Sequence, residues 1–192
     1  KNQALLFFLK IEVNQDELKI LERDVKILEK VSKEPFKRMT YDDALVELKK
    51  KCKIDIPWGK DLRTVEEDEL SKLHHNFIIV TNYPKEVKAF YMKETEGNPK
   101  VVNGCDFIAP ECYGEIIGGS EREADIEKIK ERLKEQGENL EKYEFYLDTR
   151  RYGSVPHGGF GMGVERLISW ICHLDNIKDA IAFPRTMTRY SP

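Results

Sequence analysis

Residues 156–174 read PHGGFGMGVERLISWICHL and pass directly from a glycine-rich to an apolar pattern. Side chains alternate between the two faces of a strand, so the alternation of glycine with Phe160 and Met162 predicts a strand with bare backbone on one face. The apolar residues behind it predict a helix. Bare backbone lets a flat ring or a phosphate lie close, which makes this strand-to-helix junction a candidate ligand site. The glycines are Gly158, Gly159, Gly161 and Gly163.

Glu165 and Arg166 occupy the first turn of that predicted helix. Free N–H groups and the helix dipole attract anions there, and a guanidinium adds a planar charged donor. Because the dipole disfavours an arginine at this place, we interpret Arg166 as a ligand-binding residue rather than a surface residue. The pattern is typical of neither a dinucleotide-binding loop nor a P-loop, and it favours a site for a nucleotide triphosphate.

Asp106 and Glu115 lie on two predicted neighbouring strands, separated by a turn around Pro110. Antiparallel pairing can bring their carboxylates within reach of one ion, and two carboxylates with a substrate phosphate commonly hold magnesium. The spacing equally allows two solvent-facing carboxylates. Arg122 can return to the same cleft as a clamp for a polar substrate, or it is a surface charge near a helix start. Gly118, Gly119 and Ser120 are expected in a β-bulge.

Composition excludes several classes of protein. The chain has 192 residues, 32 basic and 35 acidic, and a net charge of −3, which excludes a strongly basic nucleic-acid arm. The most apolar stretch near the start, ALLFFL at 4–9, is too short to span a bilayer, so no membrane partner is expected. Four cysteines without a CxxC motif favour neither a disulfide scaffold nor a zinc site, and a reducing, cytoplasmic compartment is expected.

Periodicity predicts an antiparallel sheet flanked by helices, an α+β fold. A capping box at Thr40 and Asp43 predicts the start of one short helix. Other helices are predicted at 15–31, 64–73, 122–135, 139–150 and behind Gly163, and strands at 77–80, 87–92, 101–109, 114–120 and 158–163.

Three segments together resemble the class II aminoacyl-tRNA synthetases of the aspartyl, asparaginyl and lysyl subgroup, the asparaginyl members most. They are DFIAPECYGEIIGGSERE, YLDTRRYGSVPHGG and GGFGMGVERLISWICHLDNIKDAIAFPR. The resemblance implies that residues 1–192 are the carboxy-terminal part of a class II catalytic domain. Residues 1–75 would form a mainly helical insertion, and residues 76–192 the sheet and the third motif. The first and second motifs and the anticodon-binding domain are not found in this chain.

The resemblance also implies roles for single residues. Arg166 would contact the γ-phosphate of ATP, with Gly161, Gly163, Val164 and Glu165 in the adjoining nucleotide-binding turn. Asp106 and Glu115 would hold Mg²⁺. Arg122 would bind the side-chain carbonyl of the amino acid, with Ser120 close to the substrate.

The implied activity is ATP-dependent activation of asparagine and its transfer to tRNA(Asn) by a homodimer. The 192-residue chain alone is expected to be inactive, since the second motif's arginine and the acceptor for the substrate amide would lie upstream. Three alternatives stay open: an aspartyl member of the group, a tRNA-independent paralogue that makes asparagine with ammonia, and a non-catalytic interaction protein.

Overall fold

A five-stranded sheet forms the centre of the structure, a computed structural model that describes residues 14–189. The strands are β1 (Lys37–Thr40), β2 (Ile78–Thr81), β3 (Glu94–Thr95), β4 (Asn98–Val102), β5 (Gly104–Ile108), β6 (Glu115–Glu121) and β7 (Gly158–Met162). The helices are α1 (Gln15–Ile20), α2 (Val25–Lys33), α3 (Tyr41–Glu47), α4 (Thr64–Lys72), α5 (Ile126–Glu135), α6 (Glu144–Arg151) and α7 (Val164–Cys172).

The strand order is β1-β2-β5-β6-β7, and β3 pairs with β4 in a separate hairpin. β5 is antiparallel to both β2 and β6, and β7 is antiparallel to β6, as the sequence predicts. β1 is parallel to β2 and was not among the predicted strands, so the sheet is mixed rather than purely antiparallel. The predicted α+β class is confirmed.

Hydrophobic residues cover the sheet on both faces. On one face, Ile78, Val80 and Ile108 pack with residues of α3 and α4, among them the buried Tyr41 and Leu70. The opposite face carries α1, α2 and α7, whose buried residues pack together with Phe77 and Ile116. These helix residues are Leu18, Leu28, Val31, Leu167 and Trp170.

The helix predicted over residues 15–31 is two helices. Glu22 has a left-handed backbone with φ of 56°, which ends α1. Asp24 then caps α2 by accepting a hydrogen bond from the backbone N–H of Lys26 at 3.0 Å. The sequence does not indicate this break, because the apolar repeat continues through it. The repeat continues because both helices bury residues in the same hydrophobic cluster.

The strand predicted over residues 87–92 is absent. A 3₁₀ turn at Lys85–Val87 leads into an irregular segment, in which the ring of Phe90 packs edge-on against Tyr143 and Tyr146 at 5.0 and 5.6 Å. Aromatic residues that are typical of strands serve here to bury α6. The predicted strand 101–109 is likewise interrupted at Asn103, where the chain passes from the β3–β4 hairpin into the main sheet.

Several element ends differ from prediction. The predicted helix 122–135 begins only at Ile126, because Asp125 is its N-cap and accepts from Glu127 N–H at 2.9 Å. The predicted helix 139–150 opens with a 3₁₀ turn at Leu140–Tyr143. The capping box at Thr40 and the helix over 64–73 are confirmed. Within residues 14–189, no helix has the length and apolar character needed to cross a membrane.

Candidate active site

Antiparallel pairing of β5 with β6 brings Asp106 and Glu115 together. Asp106 is paired with Gly118, and Ile108 with Glu115. A Cβ added to Gly118 would lie 2.5 Å from Glu115 Oε1 and 3.5 Å from Asp106 Oδ1. The two carboxylates therefore converge over the bare backbone of Gly118, and of the two arrangements that the spacing allows, the structure has the one in which they can share an ion.

A β-bulge places Glu115 on this face, but it is not where the sequence predicts one. Gly118, Gly119 and Ser120 pair regularly with β5. The register shifts instead between Phe107 and Ile108, which leaves Ile116 as the extra residue of β6. Without the shift, alternation would direct Glu115 to the opposite face from Gly118.

The two carboxylates repel each other, and both are shielded from water. Asp106 is 5 % exposed, and Lys88 Nζ donates to its Oδ2 at 2.7 Å. Burial and the negative charge of Asp106 raise the pKa of Glu115 above its ordinary value, against the opposing charges of Lys88 and Arg166. A divalent cation would relieve this repulsion, and carboxylate oxygens are the donors that Mg²⁺ prefers. The pair therefore fits the predicted metal.

Additional metal ligands would have to come from outside this pair. The described part of the chain contains no group of three or more His, Cys, Asp or Glu side chains that could hold a metal ion. Mg²⁺ commonly completes its coordination with water and substrate phosphates.

Arg122 lies on the same face, next to the carboxylates. Its Nη1 donates to Ser120 Oγ at 2.7 Å, and its guanidinium stacks on the ring of Tyr91 at 4.4 Å. A Cβ on Gly159 would come within 2.8 Å of Arg122 Nη2, so a side chain at this position would displace the guanidinium. Sequence reasoning missed Tyr91, because it assigned residues 87–92 to a strand.

One cavity of about 320 Å³ unites these groups. Its walls include Asp106, Glu115, Gly118, Gly161, Arg122 and Lys88. Arg122 thus returns to the cleft of the carboxylates, as expected.

Arg166 approaches Glu115 from the start of α7. Its Nη1 donates to the backbone carbonyl of Glu115 at 2.5 Å, while the N–H of Gly163 donates to the carbonyl of Ile116 at 2.9 Å. Val164 and Glu165 are exposed in the first turn of α7. Arg166 lines a neighbouring cavity of about 550 Å³ rather than that of Arg122, so the predicted residues are divided between two adjoining spaces.

Glu67 on α4 is a second residue that sequence reasoning missed. It is 9 % exposed, and its Oε2 accepts a hydrogen bond from the backbone N–H of Glu115 at 3.2 Å. Burial, together with the charges of Glu115 and Asp106, raises the pKa of Glu67 to about 7. Charged residues of short helices usually face water, so no feature of the local sequence indicates that this one is buried.

The turn that precedes Glu115 is held by an ion pair between the buried Arg23 and the half-buried Glu111. Glu111 and Cys112 have φ of 63° and 64°, a left-handed conformation that costs non-glycine residues energy. Arg23 binds both carboxylate oxygens of Glu111 at 2.8 and 2.7 Å, and Trp170 Nε1 donates to the same group at 3.1 Å. Burial alone would raise the pKa of Glu111, but Arg23 holds it below its ordinary value.

Comparison with known proteins identifies the family. The model of the class II tRNA synthetases (D, K and N) matches residues 7–187. Asparagine–tRNA ligases of Lactobacillus johnsonii and Lactobacillus gasseri are 48% and 47% identical over 182 residues. Those residues are 95% of this chain and 42% of each relative, so the chain spans less than half the length of these proteins.

Solved structures of the same family also resemble this chain. Asparaginyl-tRNA synthetase from Pyrococcus horikoshii superimposes with a TM-score of 0.88 at 44% identity, over 95% of this chain and 43% of that one. The Entamoeba histolytica asparaginyl-tRNA synthetase in complex with asparaginyl-adenylate gives 0.83 at 29% identity, over 100% and 46%. The chain belongs to the class II tRNA synthetases of the D, K and N group.

Proposed function

We propose that this chain is the carboxy-terminal part of the catalytic domain of an asparagine–tRNA ligase. The enzyme would activate asparagine with ATP to form asparaginyl-adenylate and pass the asparaginyl group to tRNA(Asn). One observation carries the proposal: a pair of carboxylates and a guanidinium line a single cavity. The similarity to asparagine–tRNA ligases, one of them solved with asparaginyl-adenylate, supports the choice of amino acid.

Asp106 and Glu115 would hold Mg²⁺ together with phosphate oxygens of ATP. The metal, when bound, would neutralise negative charge on the phosphates. The contribution of the chain is to place two carboxylate oxygens over Gly118, where no side chain competes for the space. Attack of the amino-acid carboxylate on the α-phosphate needs charge stabilisation and orientation, and no protein nucleophile.

Arg122 would recognise the side-chain carbonyl of asparagine. The stacked ring of Tyr91 and the hydroxyl of Ser120 fix its guanidinium, so the arginine is oriented before the substrate arrives. Ser120 would also lie close to the substrate. A site that donates a hydrogen bond to a carbonyl loses affinity for amino acids that lack one.

Arg166 would bind the γ-phosphate of ATP. A guanidinium carries five N–H donors, and the bond to Glu115 uses one nitrogen of an exposed side chain. Gly161, Gly163, Val164 and Glu165 would form the adjoining nucleotide-binding turn at the start of α7.

The remaining proposals rest on membership of the synthetase group. Residues 1–75 would be a mainly helical insertion, and residues 76–192 would carry the sheet and the third motif. The ligase would be a cytoplasmic homodimer.

Amino-acid-dependent exchange of pyrophosphate with ATP tests the function. The ligase that contains this chain is offered asparagine, aspartate and lysine separately, and then tRNA or ammonia with whichever supports exchange. Exchange with asparagine followed by tRNA charging is expected. Exchange with aspartate would indicate an aspartyl member or, with ammonia as acceptor, an asparagine synthetase. No exchange would favour a non-catalytic interaction protein.

A further inference from the structure

Lys88 forms a close ion pair inside the cavity and has no role in the chemistry described so far. Its side chain is 11% exposed, its Nζ lies 2.7 Å from Asp106 Oδ2, and Asp61 Oδ1 is 3.4 Å away. The ammonium also lies 3.9 Å from the centre of the Tyr83 ring. Lysine carries a positive charge at neutral pH, and two carboxylates lie within 3.4 Å of this ammonium.

The backbone around Lys88 is anchored by α5. Arg132 Nη2 donates to the carbonyls of Lys85 and Lys88 at 2.8 and 3.2 Å, and Gln136 Nε2 donates to the carbonyl of Lys88 at 3.2 Å. The ammonium is therefore held beside Asp106 by its own contacts and by a fixed main chain.

Lys88 contacts only one of the two carboxylate oxygens of Asp106. The ammonium binds Oδ2, while Oδ1 is the oxygen nearest to Gly118 and shares that space with Glu115 Oε1. A cation between the carboxylates would thus meet one oxygen of Asp106 that is free of Lys88, together with the full positive charge of the ammonium close by.

We propose that Lys88 is a built-in counter-ion of Asp106 that weakens binding of a bare divalent cation, so that the metal binds only together with a triphosphate. The proposal rests on the magnesium site of the proposed function. A positive charge a few ångströms away opposes a cation, and this repulsion is strong where the groups are shielded from water. Phosphate oxygens supply the negative charge that offsets it.

Manganese binding without nucleotide tests the proposal. Free Mn²⁺ is measured by electron paramagnetic resonance during titration of the ligase that contains this chain. Lys88→Met should bind Mn²⁺ at least about tenfold more tightly than the unsubstituted protein, as expected from loss of a nearby charge. Lys88→Gln, which keeps a hydrogen-bond donor to Asp106 without the charge, should show the same gain, and Lys88→Arg should show none.

Two controls locate the effect. Lys85→Met removes a positive charge three residues away that pairs with Glu94 at 3.1 Å, and it should leave Mn²⁺ affinity unchanged. Asp106→Asn added to Lys88→Met should abolish the gain. Circular dichroism spectra and melting curves establish that each variant is folded, and Lys88→Gln serves if Lys88→Met is not.

Equal or weaker Mn²⁺ binding by both neutral variants would overturn the proposal, as would an equal gain in Lys85→Met. When ATP is present, the difference in Mn²⁺ affinity between the neutral variants and the unsubstituted protein should become smaller. A difference that stays the same in the presence of ATP would also contradict the proposal. None of these measurements depends on asparagine or tRNA, so the proposal and the proposed function fail separately.

Discussion

Arg166 and Glu115 are joined through the main chain: Nη1 of the arginine donates to the glutamate's carbonyl oxygen at 2.5 Å. The backbone N–H of Glu115 donates to the Glu67 carboxylate at 3.2 Å. Glu115 is thereby held on both sides by helices α7 and α4. Arg166, which is proposed to bind phosphate, is therefore hydrogen-bonded to the backbone of Glu115, which is proposed to bind the metal.

Replacement of Arg166 should weaken phosphate binding and should also remove the hydrogen bond that holds the backbone of Glu115. Arg166→Ala is expected to lower kcat/KM for ATP in pyrophosphate exchange by roughly 10²–10³, the loss typical of one charge-stabilising donor. Arg151→Ala is the matched control, because Arg151 pairs on α6 with Glu144 and Asp148 at 2.6 and 2.7 Å. Similar losses in the two variants would contradict the assignment of Arg166.

Gly118→Ala tests whether the carboxylates must converge. The added Cβ would meet the end of the flexible Glu115 side chain at 2.5 Å, so the side chain can move aside at little cost in stability. We expect a small change in the free energy of unfolding and a requirement for about tenfold more Mg²⁺ in exchange. An unchanged Mg²⁺ requirement would show that the two carboxylates do not share an ion.

Tyr91 should affect the amino acid and not the nucleotide. Tyr91→Ala removes the ring that stacks on Arg122 at 4.4 Å and should raise KM for asparagine about tenfold, since such contacts contribute roughly 0.5–2 kcal/mol. Tyr91→Phe keeps the ring and should restore most of the affinity. A parallel rise in KM for ATP would indicate general damage to the site.

The Arg23–Glu111 pair should make stability dependent on pH. Arg23 holds the pKa of Glu111 below its ordinary value, so the stabilisation is present above the unfolded pKa and is lost as pH falls through the lower, folded pKa. Glu111→Gln should remove this contribution and destabilise the fold at neutral pH by about 3–5 kcal/mol, because the buried Arg23 loses its partner. Urea unfolding from pH 3 to 7 measures both effects.

A double-mutant cycle provides the control for that result. Arg23→Met with Glu111→Gln should be more stable than Glu111→Gln alone, since the uncompensated charge is gone. Equal stability of the two variants would show that the pair is not coupled.

The sequence predicts the part of the site that lies on consecutive strands. The approach of Asp106 and Glu115 follows from antiparallel pairing of neighbouring strands, and the glycine pattern predicts β7 and its turn into α7. Residues that reach the site from other elements do not follow in this way. Tyr91 and Lys88 lie in a segment whose aromatic residues are typical of strands, but these residues pack against α6. Glu67 is buried where α4 meets the first residue of β6, and its carboxylate accepts a hydrogen bond from the backbone N–H of Glu115 there.

The position of the β-bulge is a second feature that the local sequence does not predict. A composition of small residues at 118–120 favours a bulge there, whereas the extra residue is Ile116. Its place is set by the turn at Glu111 and by the burial of Ile116 among Phe77 and Trp170, contacts between residues that are far apart in the chain. Local sequence carries little information on such contacts.

A crystal structure of the proposed ligase with a non-hydrolysable analogue of asparaginyl-adenylate tests the central claim most directly. We predict that the analogue occupies the cavity beside Asp106 and Glu115, with its side-chain carbonyl accepting a hydrogen bond from Arg122. An analogue bound elsewhere, or bound in this cavity with its side chain directed away from Arg122, would contradict the account.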